Sequence, residues 1–412
     1  MLSKKPDYLN AGNKVFIQLI KNLGPGLLRI GGNSSDEITW TGGPRTISTP
    51  ADALATSDID RLADFTRITG WPVLFGLNLG NNNVAAAADE AAYVQNSLKE
   101  NLYALQAGNE PDVYSHYSNK RGPAYSYIDY ASEWDAYLNA VRSKAPQTMF
   151  AGPDVSYNSD WITAFADSES PRIKLIDGHH YNTGPASNPS ITYKNILAYN
   201  FLLPHFLSAL QTKSAKYYLP FRITECNSVY GGGKFGVSDT FASALWALDF
   251  MWTVAASGGQ GVNFHTLTWG AYSPVVFDNG AMLAKPEYYG MLAFKYGSTR
   301  GTIIPADINH AEYNCSAFAC INPDNSQSLT LINKDDSNNF SFTVQPGKHV
   351  STIQISRLSA PSITSTGGVT LGGNMVNADG TFKLGTPEEF TINKSSFVVN
   401  VPAGSAALVM IK

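Results

Sequence analysis

Apolar runs and polar breaks alternate with a regular grammar along the first three-quarters of the chain. The runs are "LLRIGGN" (27–33), "WPVLFGLNL" (71–79), "LYALQAGNE" (102–110), "MFAGPDV" (149–155), "LIDGHHY" (175–181), "YLPFRITE" (218–225) and "GVNFHTL" (261–267). Most are near-continuous rather than alternating, as expected of parallel strands covered on both faces. Helical patterns lie between them. "SDIDRLADFTRITG" opens on a Ser/Asp cap and ends on Gly70, "ADEAAYVQNSLKE" follows the same grammar, and Pro146 closes "DYASEWDAYLNAVRSKAP". Repeated strand–helix units predict an α/β fold.

Polar residues gather at the C-terminal ends of these runs: Asn33, Asn78, Glu110, Asp154, His180, Glu225 and His265. A (β/α)8 TIM-type barrel carries its active site on that face. A doubly wound sheet also binds there, but "RIGGNSSD" is not G-x-G-x-x-G and no Walker A motif is present. The runs number seven, whereas a closed barrel takes eight. A helical pattern over 11–23 precedes "LLRIGGN", so the missing element is the first strand. Three explanations stand: a truncated chain, an unusual role for residues 1–10, or a strand supplied from elsewhere.

After about residue 300 the helical patterns vanish. Short runs such as "SLTLINK", "NFSFTVQ", "VSTIQISRL", "GVTLGG", "TFKLG" and "EEFTINKSSFVVNVPAGSAALVMI" are punctuated by Gly, Pro, Asn and Asp. This predicts a C-terminal antiparallel β-sandwich. The expected organisation is a barrel over 1–298 and a sandwich over 299–412.

Composition narrows the function classes. Of 412 residues, 43% are hydrophobic and 15% charged, which supports a large core and argues against disorder. A net charge of −4 gives no electrostatic reason to expect nucleic acid or an anionic membrane as partner. The 21 Tyr and 7 Trp suit stacking on sugar rings and equally suit a large core. Cys315 and Cys320 are close enough in sequence to pair, which leaves Cys226 over; no zinc spacing is present. The segment "MLSKKPDYLNAGNKVF" does not read as a signal peptide, and "TFASALWALDFMWTVAAS", which carries Asp249, is expected as a buried helix rather than a membrane span.

Glu110 ends the third run and Glu225 the sixth, so a preceding strand would make these strands four and seven of eight. Two carboxylates across a barrel mouth can cleave a glycosidic bond, one giving a proton to the leaving oxygen while the other attacks the anomeric carbon. A retaining enzyme holds them roughly 5–5.5 Å apart, an inverting one roughly 6.5–9.5 Å. Arg222, close before Glu225, and Arg29 favour an ionised Glu225; Glu110 has no nearby cation in sequence.

"LRIGGNSSD", "AGNEPD", "DGHHYN", "ITECNSVYGGG" and "NFHTLTWGAYSPV" together resemble glycoside hydrolase family 79, the β-glucuronidase and heparanase-like family, over about residues 27 to 295. The resemblance implies Glu110 as acid/base and Glu225 as nucleophile. It implies Asn109 on the sugar 2-hydroxyl and Tyr181 beside the nucleophile. It also implies a sugar-carboxylate pocket at Asn227, Ser228, Tyr230 and Tyr272, whose residue types can all donate hydrogen bonds to a carboxylate. Gly231-Gly232-Gly233 either lets backbone approach the ligand or is only a flexible loop, and the direction of Lys234 is open.

Other candidates carry blander readings beside the chemical ones. His179, His180 and His265 offer a metal set that the carboxylate chemistry does not need; hydrogen bonding to the nucleophile or lining the pocket is the expected role. Cys226 turns away from Glu225 by strand alternation. Trp40, Trp269 and Tyr272 suit sugar stacking or core packing. Asp36 and Glu37 read as solvated loop residues, with reach to distal hydroxyls as the alternative. No G-x-S-x-G elbow is present. The expectation is therefore a retaining exo-β-glucuronidase that needs no cofactor and acts on glucuronic-acid-containing glycosides or oligosaccharides. The rivals are an endo-acting enzyme of heparanase or hyaluronidase type, which would want basic clusters that "NKRG" (119–122) supplies only weakly, and a non-catalytic carbohydrate-binding protein with an incomplete barrel. Oligomeric state is open. Localisation is open too, with export of a full-length parent compatible with the resemblance.

Overall fold

The computed structural model describes residues 2–117, 119–267, 270–278, 280–308 and 313–412. Seven strands form one sheet whose spatial order follows the chain. They are β1 (Leu28–Ile30), β2 (Val73–Leu77), β3 (Leu102–Ala107), β4 (Phe150–Val155), β5 (Ile173–Thr183), β6 (Phe221–Val229) and β7 (Val262–Phe264). Every neighbouring pair is parallel. The helices are α1 (Lys14–Asn22), α2 (Thr56–Thr69), α3 (Val84–Leu98), α4 (Tyr127–Lys144), α5 (Ser159–Glu169), α6 (Leu202–Tyr217), α7 (Phe241–Ala256) and α8 (Pro286–Ser298). Gly70 ends α2 in the left-handed conformation, as its position after the apolar stripe predicts.

Two layers of apolar side chains surround the sheet. Outside, the helices press closely: a Cβ on Gly152 would lie 2.8 Å from the Phe165 ring, and one on Gly178 2.9 Å from the Phe206 ring. Inside, Leu27, Leu74, Ala104, Ala151 and Leu175 form a small apolar floor. Side chains two residues further along a strand share its face. Leu27 is thus followed by Arg29, Ala104 by Gln106, and Leu175 by Asp177 and His179. The barrel interior turns polar towards the C-terminal ends of the strands by this parity alone.

Beyond Ser298 the sheets are antiparallel. The larger one runs Thr302–Ile304, β8 (Cys315–Ile321), β9 (Gln327–Asn333), β14 (Ser405–Ile411), β11 (Val350–Ser359), with both Thr370–Leu371 and β12 (Glu388–Lys394) pairing with β11. The facing layer is β10 (Phe340–Val344) paired with β13 (Phe397–Val401). Leu331, Ile353, Val399 and Val409 fill the space between layers. The outer face of the larger sheet packs on α7 and α8, where Trp252 stacks on Phe318 with ring centres 5.5 Å apart. Lys334 Nζ reaches Asp249 Oδ2 at 2.7 Å across the same boundary.

Some expectations need correction. "TFKLG" (381–385) is not a strand, while Cys315–Ile321 is one. Cys315 and Cys320 do not pair: both are free, and five positions along one strand separate them by roughly 16 Å. The α7 helix is buried on nearly every face, and no helix among the described residues is long and apolar enough to cross a membrane.

Candidate active site

Arg29 stands at the centre of the polar end of the barrel. Its Nη1 donates to Glu225 Oε2 at 2.7 Å, its Nη2 to Asp154 Oδ2 at 2.6 Å and to Asn109 Oδ1 at 2.8 Å, and its Nε to Gln106 Oε1 at 3.0 Å. Burial opposes its charge, but Asp154 and Glu225 drive its pKa up. Arg222, the other expected cation, faces away: its guanidinium donates to Asn263 Oδ1 and to the carbonyls of Gln260 and Val262. Three positions separate it from Glu225, which puts the two on opposite faces of β6.

Glu225 is buried, and both its oxygens are held. Oε2 accepts from Arg29, and Oε1 accepts from the Tyr181 hydroxyl at 2.8 Å. His265 Nδ1 lies 3.4 Å from Oε1, 2.9 Å from the Tyr181 hydroxyl and 3.0 Å from the Tyr272 hydroxyl. Burial alone would push the Glu225 carboxyl up. Positive charge at His265, His179 and Arg29 outweighs burial, and the Tyr181 hydrogen bond adds to it, so the group is held well below the usual carboxylate range.

Glu110 occupies a left-handed backbone conformation (φ 53°, ψ 53°) between the end of β3 and the turn that begins at Pro111. Its N–H donates to the Asp154 carbonyl at 2.9 Å, and its Oε1 lies 3.0 Å from His179 Nδ1. The other ring nitrogen of His179, Nε2, lies 2.8 Å from Asp154 Oδ1. Burial opposes protonation of His179, but the Asp154 charge carries its pKa up to about 10. Burial, then the Asp154 charge, pushes Asp177 up to about 8. At neutral pH the sealed network therefore balances, with Arg29 and His179 against Asp154 and Glu225. One oxygen of Glu110, one of Glu225 and a nitrogen of His179 lie within 4.8 Å of one another. A doubly hydrogen-bonded imidazolium has no lone pair for a metal, so this trio is poorly suited to hold one.

Asn109 is buried beneath Glu110. Its Oδ1 accepts from Arg29 and from Gly32 N–H, and its Nδ2 donates to Asn33 Oδ1 at 2.9 Å, leaving one Nδ2 hydrogen. A pocket of about 270 Å³ lined by Asn33, Glu37, Asn109, Glu110, Val113, Tyr117 and Lys120 opens beside it. Asp36 is a correction: it is sealed in, not solvated. It accepts from the N–H groups of Leu79, Gly80 and Asn109 and from the Tyr114 hydroxyl. This ties the loops after β1, β2 and β3 together.

The expected carboxylate pocket separates into two sets. Tyr272 closes on His265, and Tyr230 is half exposed with its ring centre 6.4 Å from that of Tyr181. Asn227 and Ser228 are corrected. Both are fully buried; Asn227 Nδ2 donates to the carbonyls of His265 and Tyr272, and the Ser228 hydroxyl bonds to Asn227 Oδ1 and Ser238. Strand β6 runs four residues past Glu225, so these two side chains brace the strand ends instead of reaching the mouth. Lys234 is also tied away, donating to the carbonyls of Asn188, Pro189 and Ile191. The glycine run is not a loose loop: a Cβ on Gly233 would lie 2.6 Å from Tyr272 N.

His180 turns outward, stacks on Phe250 and accepts from Asn200 Nδ2; burial lowers its pKa to about 4. His179 bonds to Glu110 rather than to Glu225. Cys226 packs outward against the Asn263 carbonyl. The Trp40 indole bonds to Asp89 on α3, and Trp269 lies outside the described residues. Sequence reasoning missed Gln106, Asp177 and the bracing role of Asp154; the signal was a polar residue inside an otherwise apolar strand.

Comparisons with known proteins bear on the fold and on the C-terminal domain. The profile of the Glycosyl hydrolase family 79 C-terminal beta domain matches residues 317–408. A Beta-glucuronidase from Neurospora crassa is 26% identical across 88% of this chain and 75% of its own length. One from Aspergillus niger is also 26% identical, across 53% of this chain and 46% of its own length. Among solved structures, a 4-O-α-L-rhamnosyl-β-D-glucuronidase from Fusarium oxysporum superposes with a TM-score of 0.78 at 21% identity, covering 98% of this chain and 93% of that one. The chain thus carries the β domain of glycoside hydrolase family 79 behind a barrel that sets two glutamates across its mouth, and over most of its length it is similar to β-glucuronidases.

Proposed function

We propose that this chain is a retaining exo-β-glucuronidase, releasing terminal β-D-glucuronic acid from glycosides or glycans by double displacement. The observation that carries the reading is the pair Glu110 and Glu225, with oxygens within 4.8 Å in opposite surroundings. That separation suits direct attack and leaves too little room for an intervening water. Glu225, ionised and aimed by Arg29 and Tyr181, attacks the anomeric carbon. Glu110, whose Oε2 has no partner among the described residues, gives its proton to the departing oxygen. The same carboxylate then takes a proton from water, which attacks the glycosyl ester and frees Glu225. In this reading the remaining Nδ2 hydrogen of Asn109 donates to the sugar 2-hydroxyl.

For the sugar carboxylate, the donors are the hydroxyls of Tyr230 and Tyr272 and the backbone N–H groups of Gly231 and Gly232, which no described residue accepts. Asn227 and Ser228 support that loop from below. The names of the fungal relatives support glucuronate as the sugar recognised. Exo action on simple glucuronides is favoured over sulfated polymers because the cations around the mouth are engaged: Arg29 is buried, Lys120 lies 3.6 Å from Glu37, and Lys234 is tied to carbonyls.

The test is hydrolysis of p-nitrophenyl β-D-glucuronide beside the matching glucoside. We expect a preference for the glucuronide of roughly 100-fold or more, the β-anomer as first product by NMR, and a loss of roughly 10⁴-fold or more in Glu225→Gln. First appearance of the α-anomer would overturn the retaining mechanism, and equal rates on both sugars would overturn the uronate assignment.

A further inference from the structure

The turn after β6 carries three consecutive glycines, and all three hold positive φ: 86° at Gly231, 95° at Gly232 and 77° at Gly233. Glycine gives up more conformational freedom on ordering than any other residue, so such a turn keeps one shape only where its neighbours hold it. It closes on itself through Gly233 N–H and the Val229 carbonyl at 3.2 Å. Further grip comes from both sides. Ala271 N–H donates to the Gly232 carbonyl at 2.9 Å, beside Tyr272. Opposite lies the loop that follows β5. Tyr230 N–H donates to the Thr183 carbonyl at 3.0 Å, and the Tyr230 carbonyl accepts from Ala186 N–H at 2.9 Å. A Cβ on Gly184 would run into the Tyr230 ring, so chain and ring meet there with no room for a side chain.

Lys234 joins the same two segments a second time. Its Nζ donates to the carbonyls of Ile191 at 2.7 Å, Asn188 at 2.8 Å and Pro189 at 3.0 Å. An ammonium has three donors and no acceptor, so this cage takes all of them. The cage has supports of its own. Asn188 N–H bonds to the Pro185 carbonyl at 2.9 Å, and Asn188 Oδ1 accepts from Ser190 N–H at 3.0 Å. The far end of the loop is tied to the β domain: the Tyr193 hydroxyl donates to Asp336 Oδ2 at 2.6 Å, and Asn314 Nδ2 to the Leu197 carbonyl at 3.1 Å. The loop after β5 is therefore the fixed partner, and the glycine turn is the one that is held.

We infer that Lys234 is a positioning residue for the sugar carboxylate: it clamps the glycine turn to the loop after β5 and so keeps the Tyr230 hydroxyl and the N–H groups of Gly231 and Gly232 in one donor arrangement. The inference rests on the β-glucuronidase reading above. Lys234 itself does not touch the sugar, since its donors are taken by the carbonyls. Without the clamp the turn samples other shapes, and apparent affinity falls with the fraction of molecules that hold the competent one. Glu225 keeps Arg29 and Tyr181 as partners, so the loss falls on binding more than on the chemical step.

Lys234→Ala removes the ammonium and leaves room for a small cation in its place. For p-nitrophenyl β-D-glucuronide, KM is expected to rise roughly tenfold while kcat stays within about twofold. The matching glucoside, which has no carboxylate, should lose less than about threefold in kcat/KM. Ammonium chloride, whose cation can donate to the same three carbonyls, should bring KM back towards the parent value. Tetramethylammonium chloride at equal ionic strength has no N–H to donate and should not. Lys234→Met keeps the stem without the donors and serves if the alanine variant does not fold. It should give the same rise in KM, and in a Tyr230→Phe background its effect should shrink to about threefold or less, because one of the donors it positions is already gone. An unchanged KM in a folded variant, equal losses on glucuronide and glucoside, equal effects of the two salts, or full additivity with Tyr230→Phe would each overturn the positioning role alone. A parent that hydrolyses both sugars equally would overturn the glucuronate reading, and the proposal with it.

Discussion

The Arg29 guanidinium lies 2.7 Å from Glu225 Oε2, and both side chains are almost sealed from water. The same guanidinium also holds Asp154 at 2.6 Å. One cation thus spans the proposed nucleophile and the carboxylate that charges His179. Removing a single partner from such a group leaves buried charge uncompensated. Arg29→Met is expected to destabilise the fold by about 3–5 kcal/mol, read by urea denaturation. Arg29→Lys should retain more stability but lose most turnover, because a point charge cannot bond to Glu225, Asp154, Asn109 and Gln106 together. A lysine variant with unchanged kcat would show that charge alone is required.

Glu110 trades local stability for placement. A non-glycine residue in the left-handed region costs on the order of 1 kcal/mol, and Glu110 has φ 53°. Glu110→Gly should therefore unfold at equal or higher urea concentration than the parent while losing activity. The loss should be larger for a glucuronide with a poor alkyl leaving group than for p-nitrophenyl β-D-glucuronide, since p-nitrophenolate departs with little help from an acid. Added azide should restore turnover on the activated substrate and yield the β-glucuronyl azide. Identical losses on both leaving groups would remove Glu110 from the role of proton donor.

Much of the barrel was legible because its strands are buried on both faces and read as apolar runs. The two glutamates stood out because each ended such a run. What followed Glu225 was misread for a physical reason: β6 continues as polar residues to Val229, and polarity there reflects hydrogen bonding to neighbouring carbonyls, not a loop. The pair "HH" could not be resolved by composition. Parity along β5 sends His179 inward and His180 outward, and parity is visible only once the register is known. Asp36 was hidden because its partners are backbone N–H groups of loops 43 or more positions away. Cys315–Ile321 has too many small residues to announce a strand.

Asp36 predicts a second stability effect near the site. Asp36→Ala would strand the N–H groups of Leu79, Gly80 and Asn109 and the Tyr114 hydroxyl. Each unsatisfied buried group costs about 1–3 kcal/mol, so the total loss should exceed about 3 kcal/mol after partial access of water. Tyr114→Phe removes one bond only and should cost about 1 kcal/mol. Because Asn109 and Glu110 share the tied loop, Asp36→Asn should fold yet turn over more slowly. Calorimetry with parallel kinetics separates the two, and an Asp36→Ala protein as stable as the parent would refute the tie.

The titration of His179 sets the alkaline limit. Its folded pKa is about 10 against an ordinary 6.5, because Asp154 holds the proton despite burial. The folded state therefore binds that proton more tightly. The resulting stability is whole below about 6.5 and is lost as pH rises through about 10. Glu90, raised by burial to about 8 from an ordinary 4.5, works in the same direction over a lower window: stability declines from about 4.5 to about 8. Asp154 and Glu225, both depressed, act oppositely and lose their contribution only as pH falls below the ordinary carboxylate range. Tm should thus be highest near the ordinary carboxylate range, about pH 4.5, and fall steadily above it. Glu90→Gln should reduce the slope below pH 8, where Asp177, raised to about 8, still acts in the same direction, and leave the slope above it. His179→Gln should lower Tm at neutral pH and flatten the profile between pH 8 and 10; a slope there equal to that of the parent would mean that some group other than His179 carries the proton beside Asp154.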